Sequence, residues 1–405
     1  MSIRRAPRRL GRGVATCWVA LQAIVAVASN EAPAIDLQRA PAGLLPARLP
    51  VTGGPAWRLR AFVADFDAAD AVPVRNFSGR WDDYAPRAGR NAALESAQAE
   101  LSATRGAWEI ALVGRTDFII DATRGAYDVV RADKRRETPP AGSRFDAAVD
   151  ATGIVWAGAR AAHTWAFGGS SDASGAARGV WQFSGGLTLL SVRRVETIDA
   201  RGHADFDGTT YAFEASGTRK DSFRAFEGYG RPRSTGAGLS ADFGVAWRPA
   251  ADTVVNLSVV DALSTLRVDN VATEQVDATS ATTSIGADGF LAARPLLSGR
   301  YSATSVRLRL APKVSLLAGH AFDTARGSML AGMRVEQVRG LTLPAAWSVV
   351  PLTRGLALQI DAELRFRSIG VGLAGRHGGV FVRTRSLAIA GTRALGWQAW
   401  VEVPL

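Results

Sequence analysis

Four histidines, His163, His203, His320 and His377, are the side chains best suited to acid–base or metal chemistry, and no two stand at a metal-ligand spacing. The nearest acid partners occur in His203-Ala-Asp205 and His320-Ala-Phe-Asp323, with Asp82-Asp83 as a bare carboxylate pair. Such short spacings arise readily in polar loops, whereas a nucleophile and its base must converge in space, which none of these spacings implies. Gly168-Gly169-Ser170 and Gly378-Gly379 lack the Gly-x-Gly-x-x-Gly or Walker context and read as loop and bulge glycines. The expectation is a chain that is not an enzyme and carries no cofactor and no metal.

Charges that alternate with apolar residues say more. Arg307 and Arg309 share a parity opposite Val306, Leu308 and Leu310. Asp361, Glu363, Arg365 and Arg367 share another, and so do Arg383 and Arg385. A strand sends successive side chains to opposite faces. If these strands cross a membrane, a charge on the lipid face costs about 2–4 kcal/mol at mid-depth, so the charged faces must look into a lumen. All eight residues are expected to line it. Two readings stay open: an anion-preferring conduit, or a lumen zipped shut by arginine–carboxylate pairs.

The elements that would position them are long alternating strands. Leu356, Leu358, Ile360, Ala362, Leu364 and Phe366 fall on one parity against Ala357, Gln359, Asp361, Glu363, Arg365 and Arg367. Leu239 to Arg248 and Trp181 to Leu189 repeat the pattern. Strands of about ten residues fit a tilted membrane crossing, which needs about 9–11, better than a soluble sandwich, where five or six is usual. Further strands are expected near 57–66, 91–103, 107–118, 143–151, 154–167, 195–218, 253–264, 326–337, 368–376, 378–389 and 395–405. Pro249 to Asp252 and Ala311-Pro312-Lys313 read as short periplasmic turns, and Gly168 to Ala177 and Asp269 to Asp288 as longer extracellular loops. Trp57, Trp108, Trp181, Trp247 and Trp397 sit at or near proposed strand ends, where aromatic girdles form. The fold class expected is all-β: an antiparallel transmembrane β-barrel of about 14 to 16 strands.

The hairpin from Gly236 through Gly238, Asp242, Gly244 and Trp247 to Pro249, followed by Val254 to Asp261, resembles a recurrent hairpin of the fatty-acid-transporter-like outer-membrane barrels, a group that includes conjugal-transfer barrel proteins. The resemblance implies a barrel of about 14 strands with a narrow, partly obstructed lumen and, in the transporter branch, a hydrophobic ligand. That branch opens with a plug beginning in an Asn-Pro-Ala motif. Here the corresponding stretch is Asn30-Glu31-Ala32-Pro33-Ala34, so no ligand residue is carried over.

Composition agrees with export. Arg4, Arg5, Arg8, Arg9 and Arg12 precede the apolar run Val14 to Val27, and Ala26-Val27-Ala28 is a small-x-small cleavage site, so residues 1–28 read as a signal peptide. Residues 29–56, with five prolines, read as an extended leader, and 57–405 as the barrel. Cys17, the single cysteine, lies within the signal. Of the formal charge of +11, five positives belong to those signal arginines, and 11 − 5 leaves +6, spread along strands without the clustering of a nucleic-acid surface. The expected location is the outer membrane of a Gram-negative cell. The expected partners are its lipid, the barrel assembly machinery and an envelope export complex, with no nucleic acid. A passive channel or exporter for an anionic or amphipathic solute is the leading function; a structural barrel of an envelope complex and a soluble periplasmic β-sandwich are the rivals.

Overall fold

A computed structural model describes residue 43 and residues 54–405, except 78, 169, 172–176, 225–232, 251, 286–290, 294, 325–326, 354 and 387–390. The signal over 1–28 and almost all of the leader over 29–56 lie outside the described residues.

Strand β1 (Arg58–Ala69) pairs on one side with β2 (Arg90–Arg105) and on the other with the last strand, β16 (Ala394–Pro404), so the sheet closes on itself. Between them run β3 (Trp108–Thr123), β4 (Ser143–Phe167), β5 (Val180–Phe206), β6 (Tyr211–Asp221), β7 (Thr235–Ala250), β8 (Thr253–Thr279), β9 (Leu297–Leu308), β10 (Lys313–Thr324), β11 (Gly327–Val338), β12 (Leu341–Thr353), β13 (Leu356–Glu363), β14 (Ser368–Gly375) and β15 (Gly378–Thr384). The sheet has 16 strands. Two wall positions are each filled by two consecutive segments running the same way: β6 then β7 between β5 and β8, and β9 then β10 beside β8. The closed antiparallel barrel therefore has 14 wall strands.

Parity decides which face is which. On β13, Ala357, Gln359, Asp361 and Glu363 are buried inside, while Ile360 and Ala362 are exposed outside. On β3, Ala111, Val113, Arg115, Asp117 and Ile119 point in, and Ile110 and Leu112 point out. The outward face carries an apolar belt that includes Leu101, Leu112, Leu187, Leu189, Phe243, Leu263, Leu316, Met333 and Val371. Near the end marked by Arg58 and Pro404, here the lower end, aromatic rings adjoin one another on this face: Trp108 against His163, His163 against Trp165, and Phe183 and Trp247 on either side of Trp181. Trp57, Trp108, Trp181 and Trp247 are all exposed at this end, as a girdle requires, whereas Trp397 lies inside β16.

Several sequence expectations need correction. Ala311-Pro312 is not a reversal, because Leu308 pairs with Leu266 and Lys313 with Val260, so the chain keeps its direction along β8 through a break. Pro312 has no N–H to give the ladder, which explains the break but not a turn. The alternation from Leu356 stops at Glu363: Glu363 accepts the backbone N–H groups of Arg365 (2.6 Å) and Phe366 (3.0 Å), and Arg367 is left-handed at φ 55°, closing a turn. Most of the loop expected over Gly168 to Ala177 lies outside the described residues, and the strand that leads into it ends at Phe167 at the lower end, with the short turns; Asp269 to Thr279 is strand. The runs 143–151 and 154–167 are one strand, and 195–218 contains a reversal between β5 and β6.

Two elements carried no strand expectation. Pro344 and Pro351 punctuate β12, yet it pairs with both β11 and β13, since each proline withdraws only one ladder donor. Helix α1 (Arg124–Arg135) begins at Thr123, whose Oγ1 accepts from Ala126 N at 3.3 Å, and ends at left-handed Arg136. With Trp81 and Val72 it covers the upper outward faces of β3 and β4. Burial and the hydrogen bond to Asp128 push the Tyr84 phenol upward in this cap.

Candidate functional site: the closed interior

The inward side chains form layers. Low in the barrel Val254, Leu317, Ala321, Leu330, Trp347, Val349 and Ala357 make an apolar layer. Trp347 fits because Gly332 faces it across β11 and Gly319 follows on β10; a Cβ on Gly332 would come within 2.7 Å of the indole, and one on Gly319 within 2.9 Å. Higher up, two apolar clusters join walls that are not neighbours in the sheet. Phe66 on β1 and Ile119 on β3 share one with Val338 on β11 and Leu343 on β12, and the rings of Phe66 and Phe366 are 6.5 Å apart. Val113, Trp156 and Val195 share the other with Leu266, Val268, Val271 and Val306. Asp261 and Asn270 are left-handed at φ 58° and 56°, next to register shifts on β8, and these bulges bend that strand. At the rim, Arg339 in the β11–β12 turn reaches Asp150 on β4 at 3.1 Å. The upper barrel is thus filled by its own wall.

Among the apolar clusters lies charge. Arg115 Nε donates to Asp117 Oδ2 at 2.8 Å, and the same guanidinium bonds Asp261 and sits 4.7 Å from the ring centre of Trp156. Lys313 Nζ meets Asp117 at 2.9 Å and Asp261 at 3.4 Å. Ser240 Oγ donates to Asp261 at 2.7 Å, and Asp261 N to Asp242 at 2.9 Å. Arg160 holds Asp242 at 3.0 Å and also bonds Glu109. Three cations (Arg115, Arg160, Lys313) face four carboxylates (Glu109, Asp117, Asp242, Asp261), so 3 − 4 gives a formal −1. A second group is balanced: Arg334 meets Glu336 (3.3 Å) and Asp361 (2.7 Å), and Arg383 meets Asp361 at 2.5 Å.

Of the eight residues expected to line a lumen, Asp361, Glu363 and Arg383 are buried on the inner face, and Asp361 with Arg383 forms an ion pair. Glu363 caps the turn above β13. Arg365 is half-buried at the rim and meets Asp70 at 2.8 Å. Arg307 and Arg309 are exposed on the outer face, which corrects the expectation for them; Arg367 is exposed in the turn after β13 and Arg385 is exposed just past the end of β15. On β9 the assignment of faces is reversed, because Val306 and Leu310 join the interior cluster and drive Arg307 and Arg309 outward. Arg115, Asp117, Arg160, Asp242, Asp261 and Lys313 went unread in the sequence. Arg115 and Asp117 could have been found, since they continue the parity of Ala111 and Val113; Lys313 could not, because its partner is on the opposite wall.

No protein-family model matches the chain, and no curated protein does. Among solved structures it is similar to the TodX deltaS2S3 mutant monoaromatic hydrocarbon channel, at 8% identity over 86% of this chain and 90% of that chain, with a TM-score of 0.41. It is also similar to a Pseudomonas aeruginosa FadL homologue, at 9% identity over 85% and 88% with a TM-score of 0.25, and to the CymD monoaromatic hydrocarbon channel, at 10% over 87% and 88% with a TM-score of 0.20. The second carries the name of the transporter group that residues 236–261 resemble. At such identities and scores the likeness carries nothing about a site or a solute, and the fold rests on the strand register.

Proposed function

We propose that the chain is an outer-membrane transport barrel that rests closed and passes an amphipathic solute. The observation that carries this reading is the filled interior: apolar clusters pack among two ion-paired groups, inside a wall whose outer face is an apolar belt. Closed barrels with such a belt satisfy every backbone group without water, which is what a bilayer demands. The end with the turns at 106–107 and 376–377 is the periplasmic one on this reading, since the long connections over 70–89 and 124–142 lie at the other.

An amphipathic solute is favoured over a small anion because Arg307 and Arg309 face outward and the inward arginines named above are paired with carboxylates. Trp347 Nε1, in the lower apolar layer, and Asn256 Oδ1 are buried with no hydrogen-bond partner among the described residues. Unmet polar atoms in an apolar setting cost about 1–3 kcal/mol each, a penalty that a polar head passing there would relieve. Vesicles holding the full chain are expected to take up a fluorescent fatty acid faster than protein-free vesicles. No difference, with a correctly folded barrel, would favour the structural-barrel alternative.

A further inference from the structure

We infer that the outer wall carries a binding site for a phosphorylated lipid headgroup, built from Arg267, Arg307 and Arg309. The inference rests on reading the apolar belt as lipid-facing. Arg267 on β8 and Arg307 on β9 are directly opposite in the register, a like-charge pairing that by itself disfavours the sheet. Both point outward, and Arg309 follows on the same parity. Asp269 accepts from Arg267 Nε at 3.0 Å and from Ser305 Oγ at 2.6 Å. Among the described residues no acid meets Arg307 or Arg309. Three cations against one carboxylate leave 3 − 1, a formal +2.

The position identifies the ligand. Leu263, Thr265 and Arg267 are consecutive outward residues of β8; Leu263 is 68% exposed, and Thr265 is in register with exposed Leu239 and, through it, Leu189. The arginines therefore begin one outward step, about 7 Å, above the belt. That is where acyl chains give way to headgroups. Guanidinium forks match phosphate oxygens in pairs, and phosphate would neutralise the opposed arginines. The occupant is the phosphorylated glycolipid of the surrounding leaflet, since a soluble anion gains nothing from the adjoining Leu189, Leu239 and Leu263.

The full chain is placed in lipid nanodiscs of phosphatidylcholine alone or mixed with a diphosphorylated glycolipid, and bound lipid is counted by native mass spectrometry. The wild type is expected to retain glycolipid, and Arg267→Gln with Arg307→Gln and Arg309→Gln to lose it by about tenfold or more, as expected for the loss of charge-assisted bonds. Arg309→Gln alone should lose part of it, and arginine-to-lysine changes should restore part. Millimolar inorganic phosphate should not displace it. Equal retention by wild type and the triple variant, or displacement by inorganic phosphate alone, would overturn the inference. Heat-modifiable migration of each protein is read alongside: its absence in the wild type would count against the membrane-barrel reading itself.

Discussion

Lys313 Nζ, at the start of β10 just after the break at Pro312, donates to Asp117 Oδ2 on β3 at 2.9 Å, joining two strands that share no backbone pairing. The contact crosses the lumen. It holds the broken wall position against the unbroken one, and Asp261 at the β8 bulge completes the triangle with Arg115.

Lys313→Met is therefore expected to destabilise the barrel by about 3–5 kcal/mol, because removing one member of a buried ionic group strands its partners. Lys313→Met with Asp117→Leu should recover most of that loss, since Arg115 and Asp261 remain paired. Urea unfolding in lipid vesicles measures both; an additive double variant would show that the two residues do not act together.

Arginine scanning tests the facing. Phe243→Arg places a charge in the belt and is expected to cost about 2–4 kcal/mol. Ser240→Arg should also fail, because Ser240 is buried and donates to Asp261. Arg307→Glu should leave folding intact, since Arg307 is exposed on the outside of β9. The fraction of heat-modifiable protein reports each outcome, and tolerance of Ser240→Arg would mean an open, watery lumen.

The bed of Trp347 offers a packing test. Gly332→Val would force side-chain atoms into the indole and the carbonyl of Ala318, and a loss of about 1–3 kcal/mol is expected from overpacking. Tryptophan fluorescence should shift with it. An unchanged spectrum and stability would place the indole elsewhere.

Much of the wall was legible because parity over Leu356 to Glu363 or Trp181 to Leu189 is a local property of the chain. Parity separates two faces without saying which one is inside, and β9 shows the consequence: Val306 and Leu310 found an apolar partner in Leu266 and Val268, so the arginines turned outward. The strand at Leu341–Thr353 was hidden by Pro344 and Pro351, whose lost donors the neighbouring strands tolerate. The charge layer depended on contacts across the lumen, such as Lys313 with Asp117, between residues far apart in sequence. No local pattern encodes such contacts.

Conductance of the full chain in a planar lipid bilayer tests the closed resting state most directly. The wild type is expected to show no steady open level, and Lys313→Ala to show a leak that prefers cations, because losing one positive charge takes the crossing network from −1 to −2. Steady anion-selective steps from the wild-type protein would contradict the account.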